Sequence, residues 1–145
     1  MNMKALVRDY NGEIHLGDIP EPMVLKEDDV KIRVLYSSFC RDDMRYEDKS
    51  DIFSHIGVLG HEAVGIIEEL GPFAKYAGFS LNDIVVVMPW DFCGKCSYCL
   101  SQRPQFCAEE HVVMGTMTKY ILRKSRQLIK IPSGVTYKQA VLMDL

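Results

Sequence analysis

The sequence predicts a mainly β fold, a partly open β-barrel with short helices, on three observations. Apolar runs of strand length recur along the chain, the clearest of them alternating with charged residues. Gly, Pro and Asn-Asp pairs punctuate these runs. Little of the chain carries helical periodicity, and many short strands with breakers between them suit a barrel. The 145 residues suffice for one domain, 1–145, with a core of its own.

Lys4 to Val7 opens as a strand, Tyr10 to Glu13 reads as a turn, and Ile14 to Leu16 pairs back as a hairpin. Pro20 and Pro22 are expected to stop regular structure there. Asp29 to Phe39 is the best strand: Val30, Ile32, Val34 and Tyr36 alternate with Lys31, Arg33 and Leu35. That alternation predicts one apolar face and one mostly charged face. Residues 41–55 are crowded with charge and read as a loop with a short helix, most of it solvated surface. Ala63 to Leu70 is a strand that ends in a Gly-Pro turn. Asn82-Asp83 turns the chain into the strand Ile84–Met88. Thr116–Leu122 and Leu128–Ile131 are two further strands. Pro132-Ser133-Gly134 breaks the pattern, and Thr136 caps a helix starting at Tyr137. The chain ends inside that apolar helix, so it is expected to be a fragment of a longer protein.

A net charge of −3 argues against nucleic acid and anionic membrane surfaces as partners. No apolar run approaches the roughly 18 residues that span a bilayer. Nothing at the N-terminus resembles a signal peptide, so a cytoplasmic protein with reduced thiols is expected.

Four of the five cysteines fall within residues 93–107, as Cys93-x2-Cys96-x2-Cys99-x7-Cys107. The two short gaps let one loop bring three sulfurs around an ion, and the longer return lets Cys107 close a tetrahedron. Four thiolates leave no position for substrate, which reads as a structural zinc site. An iron–sulfur cluster is the nearer rival. Bacterial ferredoxins also begin C-x2-C-x2-C, but their fourth cysteine follows after three residues and precedes proline. Here the gap is seven and Ala108 follows.

Cys40, the fifth cysteine, lies just past the end of the best strand. Alone it reads as a small buried hydrophobe. Gly60-His61-Glu62 places a histidine beside a carboxylate at a strand entry. Together with Cys40 they make a workable zinc set with one position left open. The ordinary alternative is that the His–Glu pair is surface.

Gly60-His61-Glu62-x-x-Gly65, Asn82-Asp83-Ile84-Val85 and the four-cysteine loop occur together and in order. In this the chain resembles the N-terminal, GroES-like catalytic domain of the medium-chain zinc-dependent alcohol and polyol dehydrogenases, over nearly its whole length. The resemblance implies a GroES-like barrel in which Cys40 and His61 ligate a catalytic zinc, with Glu62 as ligand or near neighbour. Asp144 falls where polyol-type members carry an acid that approaches the metal; it is equally an ordinary helix-surface carboxylate. Arg41 matches a basic residue that meets the coenzyme pyrophosphate, or is a solvated loop arginine. The implied chemistry is an alcohol, polyol or carbonyl substrate on zinc, a bound alkoxide giving hydride to NAD or NADP.

Two places depart from the family. The usual Ser or Thr two residues after the catalytic cysteine is Asp42, and the relay histidine five residues after it is Arg45. Asp42 is expected to accept the substrate proton as general base, the alternative being that it binds the metal and blocks substrate. No two glycines have the G-x-G spacing, so the dinucleotide fingerprint is absent. The cofactor is therefore expected on a Rossmann domain beyond this chain, with the fragment inactive alone and the full-length protein a homo-oligomer. The alternative is a non-catalytic, zinc-stabilised β-barrel module that binds a partner or ligand.

Overall fold

The computed structural model describes residues 1–24, 26–44 and 57–143. Strands β1 (Asn2–Arg8) and β2 (Ile14–Pro20) form the first hairpin. β2 runs on to Pro20, four residues past the expected end. It is an edge strand, where the missing proline N–H can be tolerated. β3 (Asp29–Ser37), β4 (Gly57–Val58) and β5 (Ala63–Leu70) follow. Gly71-Pro72 is no simple turn: Pro72 opens a short helix, α1 (Pro72–Tyr76), because proline's fixed φ and missing N–H suit the first helical position.

β6 (Ile84–Val87) leads to β7 (Trp90–Asp91). The cysteine lobe then contains α2 (Ser97–Leu100) and a 3-10 turn at Pro104–Phe106. β8 (His111–Val112) returns antiparallel to β7 and closes the base of that lobe. β9 (Tyr120–Lys124), β10 (Leu128–Lys130) and α3 (Tyr137–Ala140) complete the described chain. Thr136 caps α3 as expected, in a reciprocal capping box with Gln139. The expected strand from Thr116 begins only at Tyr120, because the Gly115 and Thr116 amides turn aside to bond the Gly60 carbonyl.

A five-stranded antiparallel sheet has the order β10-β6-β5-β3-β9, and a three-stranded sheet the order β2-β1-β4. They meet along a seam where the segment leading into β9 bonds the three-stranded sheet: the Leu6 amide bonds the Met117 carbonyl, and the Met117 amide bonds the Leu59 carbonyl. The result is the partly open barrel. Val30, Ile32, Ala63, Ile67, Val85, Val87, Ile121 and Leu128 fill its core. Gly65 is required on β5: a Cβ there would lie 2.4 Å from Ile32 Cγ2 and 2.6 Å from the Arg33 carbonyl oxygen.

The charged face assigned to β3 is not solvated throughout. Lys31 is buried, and its ammonium bonds two carboxylates nearer the surface, Glu21 at 2.7 Å and Glu69 at 2.9 Å, which satisfy its charge. Tyr36, placed on the apolar face, is exposed.

Arg123 is also buried. Its guanidinium donates to the carbonyls of Leu122, Val113 and Met114, and burial pushes its pKa down to about 10. It ties β9 to the segment leaving the cysteine lobe. Arg123→Leu strips a donor from these carbonyls. The expected result is a loss of about 1–3 kcal/mol in unfolding free energy, seen as a lower urea midpoint. An unchanged midpoint would contradict this role.

Candidate metal centres

The four sulfurs of Cys93, Cys96, Cys99 and Cys107 lie within 4.8 Å of one another. Zinc–sulfur bonds of about 2.3 Å at tetrahedral angles put sulfurs about 3.8 Å apart. Cys93 Sγ and Cys99 Sγ are 3.8 Å apart, and Cys96 Sγ and Cys99 Sγ 3.5 Å. The donor set fits a closed tetrahedral thiolate site. Local backbone builds it: Cys96 caps α2, its sulfur accepting from the Cys99 amide, and the Cys96 amide points at Cys93 Sγ. Amide hydrogen bonds from Lys95 and Cys96 lower the Cys93 thiol to about 7. Burial and the neighbouring Cys96 thiol raise Cys99 to about 12.

The second group is Cys40, His61 and Glu62. Its ligand atoms also lie within 4.8 Å of one another, although Cys40 and His61 are 21 positions apart in sequence. Cys40 sits where β3 gives way to a 3-10 turn, Arg41–Met44. His61 and Glu62, both buried, occupy the entry to β5. His61 Nε2 is 3.9 Å from Glu62 Oε1, so Nε2 is the ring nitrogen on the Glu62 side. A hydrogen bond from the Asp42 amide lowers the Cys40 thiol. Burial and the carboxylates of Glu62, Asp42 and Asp43 outweigh it and leave the thiol above its ordinary value. One soft thiol, one imidazole and one carboxylate, close together and walled by protein, suit zinc with an open position.

Asp42 stands beside this group, half-buried, and is outside the set of three. Arg41 is exposed on the same 3-10 turn. Asp144 and Arg45 lie outside the described residues.

The sequence does not single out Asp43, which falls among the charges of residues 41–55 that read as solvated surface. Asp43 is fully buried. Its carboxylate accepts from the Cys40 amide at 2.9 Å and the Gly60 amide at 2.9 Å, and lies 3.7 Å from His61 Nδ1. Burial pushes the Asp43 carboxyl up; His61 and the two amides outweigh that and hold it below the ordinary carboxylate range. Buried Arg8 bonds the Asp43 carbonyl from the opposite side. Asp43 thus fixes the Cys40 turn and lies beside the face of His61 away from Glu62, the place of an outer partner to a metal-binding histidine. A signal existed in the sequence: Cys40-x-x-Asp43 has the spacing at which an acid reaches back to the amide that opens a helical turn.

A curled antiparallel half-barrel carrying a four-thiol cluster, with a separate Cys–His–Glu group at a strand entry, defines a β-barrel domain with two candidate metal centres. The family profile described as "Alcohol dehydrogenase GroES-like domain" matches residues 26–133, and the chain belongs to that family. It is 30% identical to a "Probable zinc-binding alcohol dehydrogenase" of Mycobacterium tuberculosis, over 97% of this chain and 38% of the relative. It is 33% identical to a sorbitol dehydrogenase of Halalkalibacterium halodurans, over 98% of this chain and 43% of the relative. The solved galactitol-1-phosphate dehydrogenase of Escherichia coli shares the fold at a TM-score of 0.81 and 23% identity, covering 97% of this chain and 41% of that one. The chain therefore spans about two fifths of the length of these relatives.

Proposed function

We propose that this chain is the catalytic domain of a zinc-dependent alcohol or polyol dehydrogenase that works with NAD or NADP. The observation that carries the reading is the convergence of Cys40, His61 and Glu62 from two separate segments, with Asp42 beside them. The four-cysteine lobe would hold a structural zinc, and Cys40, His61 and Glu62 a second one. Zinc in the second site would supply Lewis acidity, making a substrate hydroxyl acidic near neutral pH.

The remaining work falls to the chain. Cys40 and Glu62 bring negative charge that moderates the ion. Asp43, 3.7 Å from His61 Nδ1, would orient the ring of a metal-bound His61 and keep Nε2 on the ligand side. Asp42 takes the substrate proton in the place where relatives of this family use a hydroxyl. Arg41, exposed at the same turn, would meet the coenzyme pyrophosphate, and Asp144 would be a further acid near the metal. Hydride would pass to a nicotinamide carried by a domain beyond residue 145, and the whole protein would be a cytoplasmic homo-oligomer. The substrates are small alcohols, polyols or the matching carbonyls, in keeping with the sorbitol and galactitol-phosphate dehydrogenases the chain resembles.

Elemental analysis of the purified chain tests the reading. Two zinc ions per chain are expected, falling to one in His61→Ala. A single zinc in the unsubstituted protein, unchanged by His61→Ala, would favour the non-catalytic zinc-stabilised barrel. Iron without zinc would remove both readings.

A further inference from the structure

The carbonyl of Glu62 is gripped by two side-chain hydroxyls from distant parts of the chain. Ser37, at the end of β3, donates from Oγ to the Glu62 oxygen at 2.9 Å. Thr116, on the segment returning from the cysteine lobe, donates from Oγ1 to the same oxygen at 3.2 Å and is fully buried. The two hydroxyl oxygens are 2.9 Å apart. Three contacts share two protons, so each hydroxyl can donate to Glu62 or to its neighbour.

The same stretch is pinned elsewhere by main-chain bonds. The amides of Gly115 and Thr116 donate to the Gly60 carbonyl and the Met117 amide to the Leu59 carbonyl, while the Gly60 amide donates to the Asp43 carboxylate. Gly60 sits at φ +88°, and a Cβ there would lie 2.4 Å from Thr116 Oγ1. Thr116 thus packs directly under the turn that aims His61 and Glu62. Asp43 faces the His61 ring at 3.7 Å, an approach that does not reach the Glu62 peptide.

We propose that Ser37 and Thr116 form a two-hydroxyl clamp on the Glu62 carbonyl, and that this clamp positions His61 and Glu62 toward the ion. The proposal rests on the metal reading of Cys40, His61 and Glu62. Both are positioning residues, since they act through the Glu62 backbone. The proton sharing has a consequence that a general packing role lacks. Either hydroxyl can serve alone, so single losses are mild and the joint loss is more than their product. It also places the clamp on the path from the cysteine lobe to the second site, because Thr116 follows β8 by four residues.

The test compares the unsubstituted chain with Ser37→Ala, Thr116→Val, the double variant, and Ser37→Ala combined with Thr116→Ser. Zinc affinity at each site is measured by competition with a chromophoric chelator. Cobalt loading separates the four-thiolate site from the one-thiolate site by their visible spectra. Each single variant should weaken the second site about 2–3-fold, and the double variant about 10–100-fold, the range for outer partners of metal ligands. The four-cysteine site should hold its affinity throughout, and Ser37→Ala/Thr116→Ser should match Ser37→Ala. Equal weakening of both sites, purely multiplicative losses, or no rescue by serine would each overturn the clamp.

Amide hydrogen exchange on the metal-free chain gives a second readout that needs no zinc. Gly60 exchange should accelerate about tenfold in the double variant while β3 and β5 amides keep their protection. Unchanged Gly60 exchange overturns the clamp whatever the metal content. If the unsubstituted chain takes up zinc only at the four-cysteine site, the metal reading of Cys40, His61 and Glu62 falls, and Gly60 exchange still decides whether the hydroxyls hold the turn.

Discussion

Replacing Cys96 with serine should remove the zinc of the cysteine lobe and unfold residues 93–107 while the barrel persists. The lobe has little else to hold it. α2 and the Pro104–Phe106 turn contain no buried residue, and Cys107 is the one buried side chain in the loop. Tyr98 and Phe106 touch each other with ring centroids 5.8 Å apart, yet both stay exposed. A segment of this size cannot repay its ordering entropy by apolar burial, so metal binding must supply it. Structural zinc in small peptides contributes about 10–16 kcal/mol of apparent binding energy at neutral pH, far above the cost of ordering a short loop net of its own bonds. Nuclear magnetic resonance would show it: Cys96→Ser should collapse the shift dispersion of 93–107 and leave β3, β5 and β6 in place. A lobe that stayed ordered without metal would show that hydrogen bonding alone builds it.

The same lobe should be sensitive to acid. Metal loading needs thiolates, and Cys99, raised to about 12, must give up a proton on binding at any pH below that. Cys93, lowered to about 7, adds a further displaced proton only below that pH. Zinc affinity should therefore fall as pH falls, and fall more steeply below about 7.

Asp42→Asn should have the largest effect on turnover. In a chain extended to include the proposed cofactor domain, kcat is expected to drop by about 10²–10⁴-fold, the range for a positioned general base. The pH dependence attributable to that base should disappear with it. Asp42 lies beside Cys40: its amide bonds the sulfur, and its carboxylate is near enough to raise the thiol. Amide for carboxylate changes neither volume nor the main-chain bond. An unchanged kcat with an unchanged pH profile would end the idea that Asp42 takes the proton. Loss of the second zinc in Asp42→Asn would instead make it a metal ligand.

The elements that local chemistry dictates were legible in advance. The four cysteines close on themselves within fifteen positions, so their spacing states their geometry before any fold is known. The β3 and β5 runs, the Asn82-Asp83 turn and the Thr136 cap are set by side-chain period and by bonds that span three or four residues. The Gly-Pro pair at 71–72 reads only as a turn in the sequence, because a helix of one turn has no period to detect.

What the tertiary structure decided is the second site and its supports. Cys40 meets His61 because β3 and β5 pair antiparallel, with Ser37 opposite Ala63. Thr116 reaches Ser37 across 79 positions, through a register that no local pattern encodes. Asp43 and Lys31 looked like surface charges, since charged side chains are seldom buried; only the fold supplies the amides, histidine and carboxylates that make their burial tolerable. Sequence by itself specified a zinc-loop barrel and named most of the candidate ligands. The packing of β3 against β5 and the 115–117 segment decided which of its polar residues stand around them, because desolvated hydrogen bonds depend on distance in space and not along the chain.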